Sequence, residues 1–335
     1  MASGSGLRVG IWGTGSAVPE RVLTNFDLER MVETSDEWIR TRTGIRERRI
    51  CGEATATSDL AVEAARRAME AAGVGPDEVD LVVVATVTPD MAFPSTANLV
   101  QDRLGLKGAA AFDLAAACSG FLYAMDVAAS AVHAGRARRA LVIGADCLSK
   151  ITDYTDRSTC VLFGDGAGAV VLGPVREGYG ILASQLGSDG SLGHLLYLPA
   201  GGSRRPASER TVAERLHYIK MSGNEVFKIA VRTMGDAAEA VLRQAGLGVE
   251  QVRYLIPHQA NIRIIEAAAR RLGMPEERVV VNIDRYGNTS SASIGLALDE
   301  TVRAGRVADG DVLLMVAFGG GLTWAATVLR WGGRP

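Results

Sequence analysis

Residues 81–86 read LVVVAT, a short, continuous apolar run with three consecutive valines. A run this brief and this uniformly apolar is a strand buried on both faces, as in a parallel sheet with helices on either side. The segment before it, 59–72 (DLAVEAARRAMEAA), has helical spacing and is closed by Gly73 and Pro76. After it come a helix near 96–104, a strand at 110–114, a helix over 119–134 and strands at 140–145 and 168–172. Upstream, a first strand opens at Leu7 and ends near Gly13, where Gly13 and Gly15 punctuate it.

The second half repeats that order. A long helix spans 223–245, followed by a strand at 254–256, a helix over 261–272, a strand at 279–282, a helix over 290–304 and strands at 312–317 and 324–330. Paired off, 81–86 matches 254–257, 110–114 matches 279–282, 140–145 matches 312–317 and 168–172 matches 325–329. Identities between the copies are weak, so what recurs is pattern rather than residues. Two fused α/β halves around one core follow, divided as 1–176 and 177–335. The stretch 177–215, rich in Gly, Ser and Pro, reads as their connection, with loops near the site.

Composition narrows the function classes. The chain has 335 residues, 47% hydrophobic and 22% charged, enough for a sizeable core. Aromatics are only 5% and the formal net charge is −2, so neither base stacking nor a global cationic field points to nucleic acid. The first seven residues, MASGSGL, carry no basic segment followed by an apolar run, and no stretch approaches the roughly 18 apolar residues of a membrane span. Cys51, Cys118, Cys147 and Cys160 show no CxxC or other metal-ligand spacing, which points to a reduced, cytoplasmic compartment and no metal.

Three polar residues occupy equivalent strand-to-helix turns. Cys118 lies in 112–120 (FDLAAACSG), His258 in 256–261 (IPHQAN) and Asn288 in 284–291 (DRYGNTSS). In a parallel α/β sheet such strand ends converge on one crevice. A helix N-terminus favours a thiolate and lowers a thiol pKa, so Cys118 can be a nucleophile toward a thioester; position alone equally allows a small buried core residue. A lone histidine is ordinarily structural, but His258 and Asn288 together supply two neutral donors for a developing oxyanion. Gly319, Gly320 and Gly321 end a strand and permit close backbone approach, so one of their amides can join that of Cys118 in a second oxyanion hole; taken alone the triplet is equally a glycine-rich turn. The other glycine clusters, at 13–15 and 164–168, lack the helix that a phosphate loop requires.

These segments closely resemble the β-ketoacyl-ACP synthase III family. The resemblance rests on TSDEWIRTRTGIRER (34–48), AFPSTAN (92–98), AAACSGF (115–121), DRSTCVLFGDGAGA (156–169), MSGNEVFK (221–228), IPHQANIRII (256–265), DRYGNTSSAS (284–293) and AFGGGLTW (317–324), in order along nearly the whole chain. It implies a thiolase-like α/β fold, a five-layered αβαβα sandwich of two duplicated halves, and a homodimer. It implies a catalytic triad of Cys118, His258 and Asn288: Cys118 takes the acyl group from acyl-CoA, and His258 and Asn288 hold malonyl-ACP as it loses CO₂. The oxyanion hole of the acyl transfer would use the amides of Cys118 and Gly320.

By the same resemblance, Trp38 and Arg157 sandwich the CoA adenine, Arg42 lies near its phosphates, and Asn224 and Asn261 flank the pantetheine arm. Phe93 reaches across the dimer to close the partner's acyl pocket, with Leu162 and Phe163 as further walls. Acyl carrier protein (ACP) is acidic and would dock on Lys228, Arg232, Arg263, Arg270 and Arg271, the last three sharing roughly one helix face, although a solvated face explains those charges equally well. Acyl-CoA and malonyl-ACP are substrates, and no cofactor is implied. The primer expected is acetyl-CoA or another short acyl-CoA. Tyr286 and Ser291 beside Asn288, and Cys160 within the CoA-side motif, are mild departures that bear on primer preference. A same-fold acyltransferase serving a non-malonyl acceptor, or a catalytically silent subunit, are rivals that the intact Cys118, His258 and Asn288 disfavour. A thiolase would want a second cysteine near the C-terminal glycine turn, and the chain has none after Cys160.

Overall fold

The computed structural model describes residues 8–335. Leu7, where the first strand is expected to open, and the rest of the MASGSGL segment lie outside the described residues. The strand Leu81–Ala85 is buried throughout, and its side chains alternate between two cores. Val82 and Val84 join Ala61, Ala64 and Ala68 of the helix Thr57–Ala72, while Leu81, Val83 and Ala85 join Phe121, Leu122 and Met125 of the helix Gly120–His133. That alternation is the pleat of a strand with a layer on each face.

The strand lies in a five-stranded sheet ordered Arg8–Ala17, Gly166–Val175, Ala140–Asp146, Leu81–Ala85, Ala110–Leu114. The second sheet repeats the arrangement with Gly180–Ser188, Thr323–Arg330, Val312–Gly319 and Val252–Pro257. In the first sheet Leu81–Ala85 runs parallel to Ala140–Asp146, which is antiparallel to Gly166–Val175; in the second Val252–Pro257 runs parallel to Val312–Gly319, which is antiparallel to Thr323–Arg330, so the strands matched in the sequence reading occupy equivalent places. Helices Gly120–His133 and Ala292–Arg303 fill the space between the sheets, Thr57–Ala72 covers the outer face of the first, and Gly223–Ala245 with Ile262–Leu272 covers the outer face of the second. The result is the five-layered αβαβα sandwich. Phe121, Leu122 and Met125 of the middle layer are wholly buried, each contributing about 1.5–3 kcal/mol.

Three expectations are corrected. The first strand runs through Gly13 and Gly15 to Ala17. Those glycines do not end it; they let the helix Thr57–Ala72 approach, since a Cβ on Gly13 would lie 2.4 Å from the Ala72 nitrogen and one on Gly15 2.2 Å from the Ala64 oxygen. Nor is 177–215 only a connection: Gly180–Ser188 is the outer strand of the second sheet, its small and polar residues disguising the pattern. Finally, 279–282 forms no strand beyond a single bridge from Val279 to Leu255. Its backbone is taken instead by the side chain of Gln259, whose Nε2 donates to Val280 O and whose Oε1 accepts from the amides of Asn282 and Ile283.

Replacing Gly15 by Ala should force the helix Thr57–Ala72 off the sheet and lower stability by about 1–3 kcal/mol, read as a shifted urea midpoint.

Candidate active site

Cys118 sits in a single 3₁₀ turn, Ala117–Ser119, between the strand Ala110–Leu114 and the helix Gly120–His133. Ala117 is left-handed at φ +46°, a conformation that costs a non-glycine residue about 1–2 kcal/mol and persists only under external restraint. The restraint comes from the second half. Thr323 Oγ1 donates to Ala116 O at 2.9 Å, and Gly319 is so close that a Cβ there would lie 2.6 Å from the Cys118 nitrogen.

His258 follows the strand Val252–Pro257, its amide continuing the ladder to Val316 O at 2.8 Å. It is 1% exposed, and burial pushes its pKa down to about 3, so the imidazole is neutral at physiological pH. Its Nδ1 is 2.7 Å from Ser293 Oγ. Asn288 is strapped to the first half: its N–H donates to Leu162 O at 2.8 Å and its carbonyl accepts from the Gly164 amide at 3.0 Å. Its Oδ1 accepts from the Ser290 amide at 2.8 Å, which leaves Nδ2 as the end available to a ligand.

A buried carboxylate ties these turns together. Asp146 Oδ1 accepts from the Thr86 and Thr88 hydroxyls and the Val87 amide, and Oδ2 accepts from the amide and hydroxyl of Ser291. Burial raises its pKa against the pull of those bonds. Cys118 departs from expectation in the same way. Burial is the largest influence on the thiol and pushes it up to about 12; the Ser290 hydroxyl pulls it down and the Asp146 charge raises it again. The resting residue is therefore a thiol, not the thiolate that its place before a helix leads one to expect.

Two cavities meet at Cys118. One, of about 100 Å³, is lined by His258 and Asn288 together with Leu162, Phe163, Met221 and Phe227. The other, of about 170 Å³, is walled by Val87, Leu148, Ile151, Phe163, Leu198 and Ile219, with Ser290 and Gly320 at its Cys118 end. A larger groove of about 920 Å³ lies elsewhere and holds no cysteine; of its arginines, Arg66 and Arg67 pair with Glu63, Arg285 with Glu300 and Arg303 with Asp299, while Arg306 lies over the Tyr254 ring.

The remaining candidate residues divide. Phe163 lines both cavities and Leu162 only the smaller one, while Phe93 is 85% exposed and reaches neither cavity within this chain. The Arg157 guanidinium lies 5.2 Å from the Trp38 ring centroid and also donates to Glu33 O. Asn261 lines the first cavity, but its Oδ1 accepts from the Arg263 amide and its Nδ2 donates to Arg42 O. Asn224 is exposed in the first turn of Gly223–Ala245. Lys228, Arg232, Arg263 and Arg270 are exposed, with Arg263 over the Phe227 ring at the first cavity. Arg271 does not share their face: it turns to the neighbouring helix, bonding Asp236, Glu239 and Arg232 O. Sequence reasoning missed Asp146, Ser293 and most walls of the larger cavity. Asp146 had a usable signal, a carboxylate ending a wholly apolar buried strand. Among the described residues no cluster of metal ligands occurs, and no helix is long and apolar enough to cross a membrane.

A buried cysteine at a restrained turn, facing a neutral histidine and an asparagine in a thiolase-like sandwich, defines a condensing acyltransferase. The family described as 3-oxoacyl-[acyl-carrier-protein] synthase III matches residues 112–190, and its C-terminal part matches 242–331. The β-ketoacyl-[acyl-carrier-protein] synthase III of Symbiobacterium thermophilum is 61% identical over 325 residues, covering 97% of this chain and 98% of that one. The solved structure of the Thermus thermophilus synthase III is 52% identical with a TM-score of 0.90, covering 97% of this chain and 99% of that one. The priming β-ketosynthase of the R1128 polyketide pathway is 38% identical with a TM-score of 0.91, covering 100% of this chain and 99% of that one. The chain belongs to the β-ketoacyl-ACP synthase III family, the enzymes of the initiating condensation in fatty-acid synthesis.

With the thiol near 12, the thiolate fraction rises about tenfold per pH unit below that value. Alkylation of Cys118 by iodoacetamide, followed by intact mass, should therefore keep climbing from pH 7 to 9.5 without a plateau.

Proposed function

We propose that Cys118, His258 and Asn288 carry the initiating condensation of a short acyl-CoA primer with malonyl-ACP, and that the two cavities divide its substrates. The supporting observation is that all three side chains line one cavity, with His258 neutral and Asn288 Oδ1 already engaged. In the first half-reaction the primer's acyl chain lies in the 170 Å³ cavity and its pantetheine arm in the other. The Cys118 sulfur attacks the thioester carbon, the CoA sulfur leaves, and the thiol proton ends on CoA. The amides of Cys118 and Gly320 hold the oxyanion; the Thr323 hydroxyl, which bonds both Ala116 O and Gly320 O, keeps their two turns together.

In the second half-reaction malonyl-ACP replaces CoA. The C–C bond to the carboxylate breaks, CO₂ departs, and the electron pair is left as an enolate whose oxygen takes hydrogen bonds from His258 and Asn288. A neutral donor pair suits this step, because a base at His258 would repel the charge that develops. The carbanion attacks the acyl-cysteine carbonyl carbon, the C–S bond breaks, β-ketoacyl-ACP is released, and the departing Cys118 thiolate takes a proton from solvent to restore the thiol. These side chains supply donors and a nucleophile, so the reading requires no prosthetic group.

CoA binding is assigned to Trp38, Arg157, Arg42, Asn224 and Asn261. A base between two planes needs about 7 Å, twice a van der Waals contact, and the 5.2 Å approach of Arg157 to Trp38 means that Arg157 swings aside to admit adenine. ACP docking is assigned to Lys228, Arg232, Arg263 and Arg270, without Arg271. A homodimer is proposed through the free edge strand Ala110–Leu114, around which Met91, Phe93 and Phe112 leave apolar surface exposed. A second copy there would cover that surface and carry Phe93 to its partner's acyl cavity. The setting is cytoplasmic, where the cysteines stay reduced.

Intact mass after acyl-CoA and then malonyl-ACP tests the scheme. Cys118→Ala should lose acylation and condensation, with short acyl-CoAs loading the native enzyme fastest. His258→Ala or Asn288→Ala should acylate yet lose condensation by about 10²–10³-fold; normal condensation by Asn288→Ala overturns that assignment, and a stable acyl-enzyme undischarged by malonyl-ACP in the native protein favours another acceptor. Trp38→Ala should raise KM for acyl-CoA several-fold with kcat little changed.

A further inference from the structure

The donor role of His258 requires a hydrogen on one ring nitrogen in particular. Burial leaves the ring a single N–H, and the two tautomers do opposite chemistry: with hydrogen on Nε2 that nitrogen donates to an oxyanion, and with hydrogen on Nδ1 it presents a lone pair instead. Something must choose between them.

Ser293 stands at the choice. It lies in the first turn of Ala292–Arg303, is 1% exposed, and places Oγ 2.7 Å from His258 Nδ1. The Gln259 amide points at the same oxygen from 3.4 Å, a long contact in which the serine oxygen can only accept. Among the described residues the hydroxyl has no other hydrogen-bond partner, so Nδ1 is the one place its own hydrogen can go. The opposite tautomer would aim two N–H groups at Oγ and leave the hydroxyl hydrogen buried with no acceptor, the costlier arrangement.

Gln259 holds the geometry from the other side. Its Nε2 donates to Pro257 O at 2.9 Å and Val280 O at 3.0 Å, and its Oε1 accepts from the Asn282 and Ile283 amides, so the residues flanking His258 are fixed by four main-chain partners. The His258 amide is itself bonded to Val316 O. The ring therefore has little freedom except in where its hydrogen resides.

We propose that Ser293 is a positioning residue for the condensation: its hydroxyl donates to Nδ1 and holds His258 in the Nε2–H tautomer, aimed at the cavity that Cys118 and Asn288 line. The inference rests on the donor role given to His258 above. It separates the two half-reactions, because acyl transfer to Cys118 does not use His258 and condensation does.

The test is ¹⁵N NMR of protein labelled at histidine, in which only four histidines contribute and His258→Ala identifies the signal of interest. The native enzyme should show His258 neutral with hydrogen on Nε2; hydrogen on Nδ1 overturns the proposal without recourse to any Ser293 variant. In Ser293→Ala the tautomer signal should shift toward a mixture and the condensation kcat fall about 10- to 100-fold, the usual cost of losing a partner that orients an imidazole. Acylation of Cys118 by acyl-CoA should stay within about twofold, which also reports that the variant is folded. Ser293→Thr, which keeps the hydroxyl, should restore both tautomer and condensation. An unchanged tautomer and normal condensation in Ser293→Ala, with His258→Ala inactive in condensation, overturns the role of Ser293 alone. Normal condensation in His258→Ala overturns the donor reading beneath it.

Discussion

The Asp146 carboxylate is the constraint on which the site depends. It is fully buried, and among the described residues its oxygens accept hydrogen bonds from Thr86, Val87 and Thr88 in the first half and from the amide and hydroxyl of Ser291 in the second. A buried charge is tolerable only while its donors stay in place, so the loop after Leu81–Ala85 and the turn before Ala292–Arg303 cannot drift apart independently. Asn288 lies three residues before Ser291 and inherits that registration. The same charge acts on Cys118 and opposes its ionisation, which explains in part why a cysteine at a helix start is held as a thiol.

Duplication supplies the rest of the frame. Both sheets send parallel strand ends toward the seam, and the middle helices pack between them closely enough that Gly168 and Gly295 touch backbone to backbone; a Cβ on Gly168 would lie 2.5 Å from Gly295 Cα. Each half contributes what the other lacks. The first brings a sulfur on a strained turn, the second the glycine that presses on that turn and the side chains of His258 and Asn288 that share its cavity.

Much of this was legible in the sequence, and the exceptions have physical reasons. Strand-end turns at Cys118 and His258 could be seen because apolar runs and helical spacing bracket them, and pairing the runs between halves revealed the repeat; Asn288 read as a third such turn, but it follows the short helix Ile283–Tyr286 and not a strand. Gly180–Ser188 was hidden because an edge strand with small and polar residues has no apolar signature. The segment 279–282 has strand composition but loses its pairing to a single glutamine side chain, a tertiary competition invisible to local pattern. Gly13 and Gly15 read as punctuation because sequence cannot distinguish a turn from a helix pressing close. The Cys118 pKa went the other way from the helix-end rule because desolvation and Asp146 act from outside its own element. Arg271 shares a helix with Arg263, but its partners Asp236 and Glu239 lie on another.

The two cavities share a wall made of Cys118, Phe163 and Leu196. For inhibitor chemistry this means that neither chamber offers much contact area by itself, and a ligand drawing on both must thread past the sulfur. An electrophile delivered on such a ligand would find Cys118 through shape, while unspecific electrophiles would meet a thiol that burial keeps poorly nucleophilic. Selectivity against this protein would therefore be built from the outline of the molecule rather than from the reactivity of its warhead.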